Sequence, residues 1–189
     1  MAVIQPQTLP YANQESENIA ARVPNDCLVK LGTPEALATV NEVISHLLAT
    51  SITHFACHGE QNKHNPLDSS LILEDGHLKV SQIMQQSTPN ALLAFFCACE
   101  TAMGHEDLPD EAMHIGATLQ FAGFRGAVAT MLSIVDADGP KIADSFYEYL
   151  FKEYETDSIG PDTTQAARAP SLNYVRKTFP SLVGYPLFI

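Results

Sequence analysis

The chain has no tryptophan at all, and its cations are few: 10 Lys and Arg stand against 22 Asp and Glu, a net charge of −12 over 189 residues. A surface so poor in positive charge excludes a phosphate-tracking protein, because nucleic acids and anionic lipids are gripped by basic faces. A basic peptide is the polymer that such a charge would suit. Long apolar runs are also missing. No window approaches the ~18 consecutive apolar residues of a membrane span, and residues 1–10 have neither the charged start nor the apolar core of a secretory leader. No Gly-Lys-Ser/Thr phosphate loop or spaced-glycine dinucleotide motif occurs, which excludes the common nucleotide enzymes. Cysteine is limited to Cys27, Cys57, Cys97 and Cys99. Cys97 and Cys99 lie too close in sequence for a disulfide framework, and nothing else points to an oxidising compartment, so reduced thiols in a cytosolic protein are expected. Cys27, Cys57 and Cys97 are read as small core residues.

Two short apolar stretches dominate what is present. Ala91 to Thr101 begins as an unbroken apolar run and ends at Cys99 followed by polar residues. Ser51 to Gly59 has the same build and ends at His58. Runs of this length without alternation fit strands buried on both faces of a parallel sheet. Chemistry in such sheets sits beyond the carboxyl ends of the strands. The two runs are expected to lie side by side and bring His58 to Cys99. A nearby imidazole stabilises a thiolate and can later protonate a leaving amine. Gly59, with no side chain, would let its N–H join that of Cys99 in an oxyanion hole.

The rest of the chain supplies helices between strands. Ala2–Ile4 and Cys27–Leu31 read as strands, and Asn13–Arg22 as a helix. Thr33-Pro34-Glu35 reads as a helix start, with Leu37, Val40, Ile44, Leu47 and Leu48 on its buried stripe. Ser70–Leu73 and His77–Val80 flank an Asp75-Gly76 hairpin signal, and Ser81 would cap a short helix through Met84. Ala102–Pro109 and Asp136–Pro140 read as loops, and Asp110–Gly123 and Thr163–Lys177 as helices, the latter interrupted by Pro170. A further helix carries Ile142, Phe146, Tyr149 and Leu150. Gly126–Met131 and Leu182–Ile189 read as strands. The alternation implies one α/β domain spanning 1–189: three αβα layers around a mostly parallel sheet of about six strands, with a small β-hairpin.

Other candidate ligands receive plainer readings. His54 and His58 have a four-residue zinc spacing, but on a strand this separates them by ~13 Å, so His54 is expected in the core or behind the site. His64, His77, His105 and His114 read as surface polar residues. Thr101 could orient the thiol. The acidic cluster Glu106, Asp107, Asp110 and Glu111 reads as a solvated helix start, with calcium binding the lesser reading.

Several motifs occur together in order. They are His54-Phe55-Ala56-Cys57-His58-Gly59, Asp68-Ser69-Ser70-Leu71-Ile72-Leu73, Phe96-Cys97-Ala98-Cys99-Glu100-Thr101-Ala102, Asp110-Glu111-Ala112-Met113-His114, Phe121-Ala122-Gly123-Phe124-Arg125, Ala129-Thr130-Met131 and Asp136-Ala137-Asp138-Gly139-Pro140. With Leu9-Pro10-Tyr11-Ala12 and Glu15 near the start, the chain resembles a CHAT domain, and in particular fungal members of that separase-related, caspase-like family. The resemblance implies a caspase-type fold and a cysteine endopeptidase with His58 as general base and acid and Cys99 as nucleophile, Cys97 being its local competitor. It implies an acyl-enzyme and no metal or organic cofactor. It also implies a cell-death or defence role, a peptide substrate, and tetratricopeptide-repeat regions as partners within a longer protein. Cys97 stands where the family usually has Ser, and Leu132 where many members have Trp; both are assigned to the substrate pocket. Asp136 lies where separase-like relatives carry an acid that selects a basic residue before the scissile bond, its plainer role being a helix cap. The alternative function is an inactive caspase-fold module for protein interaction, and a lesser one an autoinhibited fragment awaiting a partner or a cut.

Overall fold

The computed structural model describes residues 1–60, 62, 64–86, 88, 90–97, 119–120, 122–130, 136–156 and 187–188. Its centre is a six-stranded sheet in the order β2-β1-β3-β7-β8-β9. The strands are β1 (Ala2–Ile4), β2 (Lys30–Leu31), β3 (Ile52–Ala56), β7 (Leu93–Phe96), β8 (Gly126–Thr130) and β9 (Leu187–Phe188). All neighbours are parallel except β9, which runs antiparallel to β8. A second, antiparallel sheet comprises β4 (Gly59–Glu60), β5 (Ser70–Leu73) and β6 (Gly76–Lys79). The expected hairpin therefore gains a third strand, contributed by the residues just after His58.

Alternation along the strands splits the core into two layers. Val3, Phe55, Cys57, Ala94 and Phe96 face one side and pack with Val43 and Leu47 of α2 (Val40–Leu47), Ile83 of α3 (Val80–Met84) and the hairpin residues Leu71, Leu73 and Leu78. Ala2, Leu93, Phe95, Cys97 and Val128 face the other side. There they meet Ile19 of α1 (Ala12–Arg22) and Ile142, Ala143, Phe146 and Tyr147 of α4 (Gly139–Thr156). Cross-strand partners stack in both layers: Phe55 on Phe96 at 5.2 Å between centroids, and His54 on Phe95 at 4.9 Å. Each fully buried Phe contributes ~1.5–3 kcal/mol by leaving water. Within α4, Ile142 and Phe146 are buried and Leu150 packs beside them, as their spacing predicts; the neighbouring Tyr147 is buried too.

The segment after β2 departs from the sequence reading. Thr33-Pro34-Glu35 does not open a helix. Gly32 adopts a positive φ of 96°, and the Gly32 N–H returns to the Ala36 carbonyl at 2.7 Å, closing a tight turn. A β-carbon at Gly32 would lie 1.9 Å from the Ile4 carbonyl oxygen, so glycine is required by both conformation and space. The helix begins instead at Val40. Thr39 caps it, its Oγ1 accepting from the Glu42 N–H, and the hairpin carboxylates of Glu74 and Asp75 accept from Ala38 and Val40. Leu37 and Leu48 are consequently exposed rather than on the buried stripe. Cys27 is exposed as well, because Asn25–Cys27 forms a 3-10 turn after Pro24 and only Lys30–Leu31 join the sheet. The α3 helix starts two positions earlier than expected, with Lys79 rather than Ser81 at its cap and the Gln82 Oε1 accepting from the Lys79 N–H. Asp136–Asp138 is a 3-10 turn rather than open loop, leading directly into α4. The expected helix over Asp110–Gly123 is seen at Leu119 and Gln120, and the expected last strand at Leu187 and Phe188. The Ala102–Pro109 loop and the Thr163–Lys177 helix lie outside the described residues.

Candidate functional site

Strands β3 and β7 are direct parallel neighbours, and the paired residues of β3 each sit opposite the one 41 positions later, from Ile52↔Leu93 to Phe55↔Phe96. The Cys97 N–H then donates to the Phe55 carbonyl at 3.1 Å, continuing the ladder past β7. His58 follows three residues after Phe55. It is half-buried and sits at the bend where the chain leaves the central sheet and enters the small one. Its carbonyl accepts from the Ile72 N–H at 2.8 Å. That bond makes Gly59↔Leu71 a pair without mutual hydrogen bonds, so the buried Gly59 turns its N–H away from β5. Cys99 and Leu132 lie outside the described residues.

The most unusual chemistry among the described residues lies on the α1–α4 side of the sheet. Glu15 is only 1% exposed and His54 is wholly buried. His54 Nε2 and Glu15 Oε1 share a hydrogen bond of 2.7 Å, while Nδ1 has no hydrogen-bond partner among the described residues. A buried ionisable pair survives only if its members face each other with good geometry. Tyr147 lies 5.7 Å from the His54 ring, and burial, the Glu15 carboxylate and Cys97 all push its hydroxyl pKa up. A β-carbon at Gly139 would come 3.1 Å from Glu15 Oε2 and 3.3 Å from Cys97 Sγ, so these side chains converge on the first residue of α4. The Cys97 thiol donates to the Gly139 carbonyl at 3.4 Å. Cys97 thus sits with its sulfur in the α4-side core, 1% exposed, in the small-core role rather than against an open surface.

Glu15 was visible in the sequence only as part of the family motif. Its position carried a further signal. Ala12, Glu15, Ser16 and Ile19 occupy the i, i+3, i+4, i+7 positions of the buried stripe of α1, where a lone acid must have a partner. Gly139 and Tyr147 gave no comparable signal.

Asp136 is partly exposed, and its Oδ2 accepts from the Tyr11 N–H at 3.2 Å, capping the start of α1 from the turn that leads into α4. Asp138 pairs with Lys141 at 2.8 Å. His54 is committed to Glu15, so it is not half of a zinc pair with His58. Among the described residues no group of three or more His, Cys, Asp and Glu is placed to hold a metal ion. His64 and His77 are exposed, and His77 lies 3.3 Å from Glu60; His105, His114, Thr101 and the acidic cluster from Glu106 to Glu111 lie outside the described residues. Among the described residues no helix is long and apolar enough to cross a membrane.

No curated protein matches the chain. The CHAT domain family model matches residues 1–178, which is nearly its full length. With the mostly parallel sheet, the flanking helix layers and the small antiparallel sheet after His58, the match means that the chain belongs to the CHAT domain family, a family of caspase-like character.

Proposed function

We propose that the protein is a cysteine endopeptidase. Cys99 gives its proton to His58 and attacks the scissile carbonyl; the oxyanion is met by the N–H groups of Gly59 and Cys99. Collapse of the tetrahedral adduct transfers the His58 proton to the leaving amine and leaves a thioester, which a water activated by His58 hydrolyses. The observation that carries this reading is the constant 41-residue register of β3 and β7. His58 and Cys99 are themselves 41 positions apart, each three residues beyond the last paired Phe55 and Phe96. Three residues reach at most ~11 Å, and in this reading His58 and Cys99 each act within that distance of the ends of adjacent strands. The Gly59 N–H turned away from β5 supports the oxyanion assignment.

Asp136 is the proposed reader of a basic residue before the scissile bond. One of its oxygens already holds the Tyr11 amide, which fixes the carboxylate, and bidentate geometry would favour Arg over Lys. A peptide acyloxymethyl ketone with Arg at its first position is the test. It should label wild-type protein at Cys99, fail to label Cys99→Ala, and label His58→Ala ~10²–10⁴-fold more slowly. Labelling at Cys97 or Cys27 instead, or none at all, would refute the assignment and leave an inactive caspase-fold interaction module as the reading.

A further inference from the structure

The Glu15 carboxylate is tied to both strands that lead to the proposed dyad. Its Oε1 is hydrogen-bonded to His54, four residues before His58 on the same run of chain. Its Oε2 lies against Gly139, whose carbonyl accepts from Cys97, two residues before Cys99. The contact at Gly139 is close enough that a methyl group would press on both Glu15 and Cys97. One acid on α1 therefore meets β3 directly, and meets the end of β7 through the first residue of α4. Because the pair is buried, its geometry is stiff. An exposed pair would be loosened by bulk water, from which these side chains, 0% and 1% exposed, are shielded.

We propose that Glu15 is a positioning residue for the Cys99–His58 pair. It sets the relative height of the two chain segments as they leave the sheet, with Gly139 as its required small neighbour. The proposal rests on the peptidase reading and adds a residue that never touches substrate.

The test is the pH profile of alkylation of Cys99 by iodoacetamide, read peptide by peptide by mass spectrometry between pH 5 and 9. A thiol beside an imidazolium reacts in the acid range, where an isolated thiol does not. Wild-type protein should show this acid limb at Cys99. Glu15→Ala and Gly139→Ala should each lose it, slowing Cys99 at pH 6 by at least about tenfold, while the exposed Cys27 keeps its rate as internal control. Glu15→Gln keeps an oxygen for the His54 N–H and should recover most of the limb. A merely structural role would lower the folded fraction, seen by circular dichroism, without changing the shape of the profile. If Glu15→Ala does not fold, Gly139→Ala probes the same contact from the helix side. Folded variants that retain the acid limb would overturn the positioning role and leave the dyad intact. A wild-type profile without the limb would instead overturn the dyad itself, and the positioning role with it.

Discussion

Removing the carboxylate of Glu15 should destabilise the fold more than removing any surface ion pair. Glu15 and His54 are 1% and 0% exposed at the side chain and 2.7 Å apart. Breaking a buried pair by deleting one partner costs ~3–5 kcal/mol, because the other is left without compensation in the core. Against a total of ~5–15 kcal/mol for an ordinary domain, Glu15→Ala should lower the urea midpoint by ~1.5–2.5 M at an m-value of ~2 kcal/mol/M. Part of that loss is lost volume, so two controls matter. Glu15→Gln keeps the shape and an acceptor and should lose less than half as much. The double variant Glu15→Leu, His54→Phe removes both polar groups and places a second ring against Phe95, which His54 already stacks upon. It should stay within ~1–2 kcal/mol of wild type, since apolar replacement of a buried pair is often neutral. Equilibrium urea unfolding followed by tyrosine fluorescence measures all three. A Glu15→Ala cost under ~1 kcal/mol, or a double variant as unstable as Glu15→Ala, would show that the pair is not desolvated as described.

Other outcomes follow from single contacts. Gly32→Ala must fit a methyl 1.9 Å from the Ile4 carbonyl at a φ of 96°, so β1 shifts and thermal stability falls by at least ~2 kcal/mol, checked by calorimetry. Thr39→Ala removes the cap of α2 and should lose ~1 kcal/mol, less if Glu74 and Asp75 hold the helix start alone. Arg22→Ala breaks contacts of 2.8 and 3.1 Å to Asp144, but both side chains are 35% exposed. Its cost should stay below ~1 kcal/mol and vanish in molar salt, as denaturation at two ionic strengths would reveal. The Tyr147 hydroxyl, held above its ordinary value of 10.0 by burial and by Glu15, should be the last tyrosine to ionise in an absorbance titration. The unfolded chain releases that proton first, so Tyr147 contributes stability that is complete below pH 10 and is lost above it; Tyr147→Phe should flatten this alkaline slope.

The strand readings succeeded where burial on both faces leaves an unambiguous mark. Leu93–Phe96 is apolar without interruption, Ile52–Ala56 is interrupted only by the buried Thr53 and His54, and a covered parallel sheet accepts such segments. The errors came where a local signal was overruled by a distant contact. Thr33-Pro34-Glu35 has good helix-start chemistry, yet the preceding Gly32 is pinned beneath the Ile4 carbonyl, a contact 28 residues away in sequence. Cys27 looked like the start of a strand because nothing nearby disclosed the 3-10 turn after Pro24. In the candidate site, the place of His58 and Gly59 just past the end of β3 was legible from the apolar run. The partnership of Glu15 with His54 could not, because spacing within α1 says that the acid is buried but not what it meets.

The strand order also governs how the molecule comes into being. Ala2 pairs with Lys30 on one side and His54 on the other, and β3 waits for partners 41 residues downstream. Among the described β-pairings, only the β5–β6 hairpin joins neighbours across a two-residue turn. Distant parallel pairing is intrinsically slow, on the order of milliseconds to seconds. At ~5–20 residues per second, a ribosome adds several seconds before β3 can reach β1. During that interval Ala2–Ile4 is a bare sticky segment. Yield of native protein should therefore depend on translation speed and chaperone supply more steeply than its final stability suggests.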